Sequence, residues 1–143
     1  MQRNIGMLIK QISDQIRVEA NAFHKKYGLT FSQAQVLYYL YTHDGTATQK
    51  ELEVYLGVSH PAVAGLVSRL SDAGFLICRA DESDRRSKIL CITERARTIE
   101  TQMRRDRASI EAQMCEGLSP QELEELYRLL RVLAQNITKE NRK

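Results

Sequence analysis

Between Thr48 and Ile92 two short helix signals, a tight glycine break and a strand–charged tip–strand pattern follow one another with almost no spare residues, and that spacing leaves few folds open. Thr48 with Glu51 three residues on is a capping box, in which the threonine oxygen accepts from an N–H of the first turn and the carboxylate reaches back. The helix it opens is expected to carry Leu52, Tyr55 and Leu56 inward and to stop at Gly57, which suits the left-handed backbone of a helix C-terminus. Only Val58 intervenes before Ser59, a good N-cap, and Pro61 falls in the next first turn, where its missing N–H costs nothing. Val63, Leu66, Val67 and Leu70 recur at three- and four-residue steps as one buried stripe, and Ala73-Gly74 ends that helix. Phe75–Arg79 and Ile89–Ile92 are apolar runs bracketing the charged tip Asp81–Lys88, which predicts two strands and a turn. Two brief helices joined by a tight turn and followed by a hairpin make a winged helix-turn-helix, whose second helix is shaped for a DNA major groove.

The face of that second helix opposite its apolar stripe is His60, Ala62, Ala64, Gly65, Ser68 and Arg69. Surface helices ordinarily carry long charged side chains, whereas this face is small and smooth through its first turns. A helix that enters a groove roughly 12 Å wide needs such a face, with donors at its N-terminal end for phosphates and base edges. Packing of the same small residues on another helix of the chain is the alternative. Bulk charge does not separate the two, because the net charge is only +3 and residues 46–95 hold seven basic and seven acidic side chains. Location is more telling: Arg85, Arg86 and Lys88 gather at the wing tip, and Arg69 stands on the helix.

The flanks are helical. Ile5, Leu8, Ile9, Ile12, Ile16, Ala20 and Phe23 predict an amphipathic helix ending near Tyr27-Gly28. Ser32 with Gln35 predicts a capping box opening a second helix to about Thr42, with Phe31 and Val36 spaced as a hydrophobic staple. Thr93 caps a long fifth helix whose apolar positions Ala96, Ile99, Met103, Ile110 and Met114 are interrupted by Arg104-Arg105-Asp106-Arg107. Ser119-Pro120-Gln121-Glu122 opens a sixth, in which Leu123, Leu126, Leu130, Leu133 and Ile137 form a narrow seam of the heptad kind. A chain this small could hardly bury both terminal stripes by itself, so the helices are expected to pair with a second copy. A symmetric pair would place two recognition helices about one duplex turn apart, suited to a palindrome. The fold class is therefore mainly α with a small β-hairpin wing. One domain spans 1–143, with 1–30 and 94–143 as dimerisation helices and 31–93 as the winged module, in which 48–73 is the helix-turn-helix and 75–92 the wing.

Other classes find little support. No apolar run approaches the roughly 20 residues of a membrane helix, and residues 1–6 lack the apolar core of a signal peptide, so a cytoplasmic protein without a membrane partner is expected. No nucleophile paired with a base, no carboxylates at catalytic spacing and no phosphate-cradling glycine loop argue for an enzyme. His24, His43 and His60 are scattered, as are Cys78, Cys91 and Cys115, so neither a metal nor a cofactor is expected. Cys78 and Cys91 fall on the two wing strands, where they are either a facing redox pair or simple packing residues.

The order of elements, together with Asp84-Arg85-Arg86 running into Leu90, Ile92 and Thr93 and with the segment Ser59–Leu70 followed by Gly74, resembles the multiple antibiotic resistance regulator (MarR) family over essentially the whole chain. The resemblance implies a homodimeric, sequence-specific DNA-binding repressor of its own operon and of neighbouring efflux, detoxification or stress genes. It implies that Arg86 enters the minor groove, that Asp84 braces the wing loop, and that the recognition-helix roles fall on Ser59, His60, Ala62, Ser68 and Arg69. The expected DNA-contact set is thus Ser59, His60, Pro61, Ala62, Ser68 and Arg69 on the helix with Asp84, Arg85, Arg86 and Lys88 at the wing. It also implies release by a small aromatic effector, for which Tyr38, Tyr39, Tyr41 and His24 are the available lining residues. Where many members carry a long polar residue in mid-helix this chain has Gly65, so fewer base contacts are expected from that turn. Members that sense oxidants use a cysteine in the first helical region, and none precedes Cys78 here. A winged module that binds another protein instead of DNA is the alternative function.

Overall fold

A computed structural model of the chain describes residues 3–84 and 86–140. Helix α1 (Ile5–His24) is capped by Asn4, whose side chain accepts from the Met7 N–H at 2.9 Å, and it passes into a single 3-10 turn, Lys25–Tyr27. Helix α2 (Phe31–Tyr41) starts ahead of the predicted Ser32 cap. Thr30 is the cap: Gln33 N–H donates to Thr30 Oγ1 at 3.2 Å, and Thr30 N–H donates to Gln33 Oε1 at 3.0 Å. This earlier of two overlapping box patterns prevails because it sets buried Leu29 and Ala34 on either side of the cap, leaving Phe31 half-buried at the first helical position.

The left-handed pair Asp44 and Gly45 turns the chain into β1 (Thr46–Thr48), a strand the sequence pattern did not predict. A Cβ on Gly45 would stand 3.0 Å from both Ile92 Cγ1 and Arg97 Nη2, so the close approach of this turn to β3 and α5 requires glycine. Helices α3 (Gln49–Leu56) and α4 (His60–Asp72) follow, then β2 (Leu76–Ala80), β3 (Lys88–Ile92), α5 (Glu94–Met114) and α6 (Pro120–Glu140). The wing is thus part of a three-stranded antiparallel sheet in the order β1-β3-β2. A three-residue strand is too short to show a period of two, and Thr48 both ends it and caps α3, which hides it in the sequence.

Among the described residues, those up to Ala108 form one compact unit and those from Ser109 onward a second. In the first, Leu37, Leu40, Leu52, Val63, Leu70, Leu76, Leu90 and Met103 are fully buried, so α2, α3, α4, the sheet and α5 share one core. Burial of each such leucine is worth about 1.5–3 kcal/mol. Tyr55, expected inside, is exposed: α3 is short, Leu52 takes the core contact, and the Tyr55 ring meets Tyr39 at 4.8 Å on the flank.

Polar ties hold α5 to this module. Tyr41 Oη donates to Ala96 O at 2.5 Å, Tyr38 Oη donates to Met103 O at 2.8 Å, and Arg104 Nη2 donates to Tyr41 O at 3.2 Å. His24, buried at the end of α1, has Nε2 3.3 Å from Tyr38 Oη. Lys26 Nζ lies 3.0 Å from the buried carboxylate of Asp106, which raises the lysine's pKa. In the second unit, Ser119 and Glu122 form the expected reciprocal box, with Glu122 N–H donating to Ser119 Oγ at 3.1 Å and Ser119 N–H to Glu122 Oε2 at 3.2 Å.

The register separates the two wing cysteines. Cys91 pairs with Ile77 on one side and Thr46 on the other, while Cys78 pairs with Leu90. Side chains alternate along a strand, so a one-residue offset sends the two thiols to opposite faces of the sheet, and the facing pair considered from sequence does not form.

Candidate nucleic-acid interface

The recognition segment is built from its cap outward. Ser59 holds an extended backbone, and its Oγ accepts from Ala62 N–H at 3.3 Å, so α4 starts with Pro61 inside its first turn. Val63, Leu66 and Leu70 face the core, while His60, Pro61, Ala62, Ser68 and Arg69 are exposed and Ala64 and Gly65 are half-buried. At the C-terminal end Arg95 donates to Ala73 O and lies 4.6 Å over the Phe75 ring, and Thr93 Oγ1 donates to Gly74 O at 2.6 Å. These contacts satisfy carbonyls that a helix end leaves open and fix α4 relative to the start of α5.

His60 is held from α3. Gln49 Nε2 lies 3.0 Å from His60 Nδ1 and 3.3 Å from its Nε2, and the Glu53 carboxylate lies 3.4 Å from Nδ1. Sequence reading missed Gln49 and Glu53, because a helix-to-helix contact leaves no trace in local spacing.

The wing tip is pinned by two aspartates. Asp84 Oδ1 accepts from Arg86 N–H at 3.0 Å and Oδ2 from Ser87 Oγ at 3.2 Å, so Asp84 braces the loop by hydrogen bonds. Asp81 does the same for Ser83, accepting from its N–H at 3.0 Å and its hydroxyl at 2.7 Å, and these bonds hold the Asp81 carboxyl below its ordinary value. Asp81, Ser83 and Ser87 were not singled out from sequence, although an aspartate accepting from the N–H two residues on is a readable turn signal. Arg86 and Lys88 are exposed, and Arg85, also expected at the tip, lies outside the described residues. Among the described residues, neither of these two cations nor Arg69 is engaged in an ion pair.

The residues expected to line an effector pocket separate. Tyr38 and Tyr41 are core residues whose hydroxyls are spent on α5 carbonyls, and burial pushes the Tyr38 hydroxyl up to about 12 and that of Tyr41 higher still. His24 is buried beside Tyr38. Only Tyr39 faces outward, stacked on His43 at 3.8 Å, and with Tyr55, Val54, Lys50, Glu51 and Thr48 it lines an open groove of about 490 Å³.

Among the described residues, no helix is long and apolar enough to cross a membrane. A family model described as MarR family matches residues 27–87. An uncharacterized HTH-type transcriptional regulator of Bacillus subtilis (strain 168), YwoH, is 39% identical over 92 residues, which cover 62% of this chain and 66%, just under two thirds, of that protein. The transcription regulator MarR of Oenococcus oeni PSU-1 shares 27% identity at a TM-score of 0.79, covering 92% of this chain and 99% of its own. A MarR family regulator of Listeria monocytogenes, solved in complex with 26mer DNA, has the same fold at a TM-score of 0.90 and 19% identity, covering 97% of this chain and 92% of its own. With sequence and backbone agreeing from Tyr27 through the recognition helix into the wing, the chain has a winged helix-turn-helix fold and is similar over that segment to transcriptional regulators of the MarR family.

Proposed function

We propose that this chain is a homodimeric, effector-responsive repressor that reads a two-fold symmetric operator in double-stranded DNA. The exposed cations of α4 and of the wing tip carry the proposal. In a winged segment whose charges balance, Arg69, Arg86 and Lys88 stand exposed beside a small helix face, with no ion pair among the described residues. Cations left unpaired at a groove-shaped surface favour a polyanion, and the braced wing suits insertion of Arg86 into a narrow minor groove of enhanced negative potential. The Listeria protein complexed with DNA supports the same reading by likeness of fold.

Two apolar faces support a dimer. Helix α1 exposes Ile5, Leu8, Ile9 and Ile12, and α6 exposes Leu126, Leu129, Leu130 and Ile137, more contiguous apolar surface than single helices ordinarily leave in water. A second copy is the partner these faces would take. Repression and release by a small aromatic effector are what the resemblance to the MarR family suggests, and the groove beside Tyr39 is an aromatic-lined surface that could take such a molecule.

The test is titration of labelled promoter fragments with wild-type protein and Arg86→Ala. The variant is expected to bind more weakly by about 1–3 kcal/mol, with a shallower dependence on salt. Equal affinities would remove Arg86 from the interface. A wild type that flows through duplex and heparin columns at low salt would instead favour a protein-binding adaptor.

A further inference from the structure

We infer that Arg69, seated across the bare turn at Gly65, reads guanine at the centre of the recognition helix, an inference that rests on the DNA-binding role proposed above. Side chains on an α-helix lean toward its N-terminus, so residue 69 covers residue 65 one turn back. A Cβ on Gly65 would lie 3.4 Å from Arg69 Nη2 and 3.9 Å from Arg69 Cζ. The guanidinium therefore stands in the space directly beyond position 65. A methyl group fits beside it in ordinary contact, whereas a longer side chain would compete with the guanidinium for that space. Gly65 is consequently half-buried on a face whose neighbours Pro61, Ala62, Ser68 and Arg69 are exposed.

The mid-helix turn that looks empty in the sequence thus carries a cation supplied from the following turn. Glycine in a helix interior lowers helix stability, so the position works against the fold unless the open space is used. The guanidinium belongs to no ion pair among the described residues, which leaves its donors for a ligand. It lies beside Gly65, whose helix neighbours Pro61 and Ser68 are exposed, and phosphates would meet the edges of such a helix while base edges meet its middle. Two parallel N–H donors match the O6 and N7 acceptors that guanine alone presents side by side in the major groove. Lysine, with a single charged point, lacks that fork.

The experiment is selection of bound sequences from a randomised duplex library, followed by affinity measurements on single-base variants of the selected site, with melting curves for every protein. Wild type is expected to require a G·C pair at one position of each half-site. Arg69→Ala, Arg69→Lys and Gly65→Leu are expected to lose that preference by on the order of 10- to 100-fold at this position while keeping their preferences elsewhere. Leucine is chosen because it fills the seat and brings no hydrogen-bonding group of its own. Gly65→Ala is expected to retain the preference and to melt higher than wild type. The inference is overturned if Arg69→Ala weakens all sequences equally, which marks a phosphate anchor, or if Gly65→Leu folds and keeps the guanine preference. If wild type selects no sequence and binds no duplex, the DNA-binding role itself has failed, a result distinct from either.

Discussion

Tyr38→Phe isolates one oxygen that joins three helices. Tyr38 Oη has a single hydrogen and donates it to Met103 O at 2.8 Å, so the contact with His24 at 3.3 Å has His24 Nε2–H as donor. In the neutral ring Nδ1 is then a bare acceptor, and it has no partner among the described residues. Deleting the hydroxyl leaves His24, only 3% exposed, with neither nitrogen satisfied. An orphaned buried donor costs about 1–3 kcal/mol. The Met103 carbonyl loses less, about 0.5–1.5 kcal/mol, because its second lone pair keeps the bond of the α5 ladder. The expected loss is about 2–4 kcal/mol, read from urea unfolding at pH 7.5 and fixed protein concentration, since association with a second copy would add concentration-dependent stability. Adding His24→Leu removes the orphan, so the double variant should be more stable than the two single losses predict, by about 1 kcal/mol within the usual range for contacting residues. A loss below about 0.5 kcal/mol, or strict additivity, would refute the hydrogen-bond chain from α1 through α2 to α5.

Two further outcomes are expected. Burial lowers the His24 pKa below its ordinary 6.5, Asp106 opposing and Lys26 reinforcing the shift, so below pH 6.5 the unfolded chain binds more protons than the folded one. Stability should be full above that pH and decline as pH falls through it toward the folded value; urea midpoints measured from pH 8 to 5 should show this slope shrink in His24→Leu, and an unchanged slope would exclude the histidine as its source. Asp84→Ala removes the bonds to Arg86 N–H and Ser87 Oγ and frees the wing tip. Operator affinity should fall severalfold while the unfolding midpoint moves within the roughly 0.5 kcal/mol typical of surface changes, and undiminished binding would show that the wing needs no brace.

Several elements were legible because their cause is local. The caps Thr48, Ser59 and Ser119 each act on an N–H within three residues, Gly57 stands at the left-handed end of α3, and the Val63, Leu66 and Leu70 stripe of α4 follows helical periodicity. The cap of α2 was misplaced because two box patterns overlap and only the burial of Leu29 and Ala34 chooses between them. At the wing, the sequence located Asp84 and Arg86 but not the second brace at Asp81.

Local chemistry in the chain therefore determined where α3, α4 and α6 begin, which face of α4 is small, and where the wing cations gather, since each depends on side chains no more than a turn or two apart. Tertiary structure alone decided the third strand and its register, the parting of Cys78 from Cys91, the hold of Gln49 and Glu53 on His60, and the spending of Tyr38 and Tyr41 on α5. Those contacts join groups from 7 to 65 residues apart, and which of many distant partners a group meets is fixed by packing of the shared core, for which spacing along the chain carries no signal.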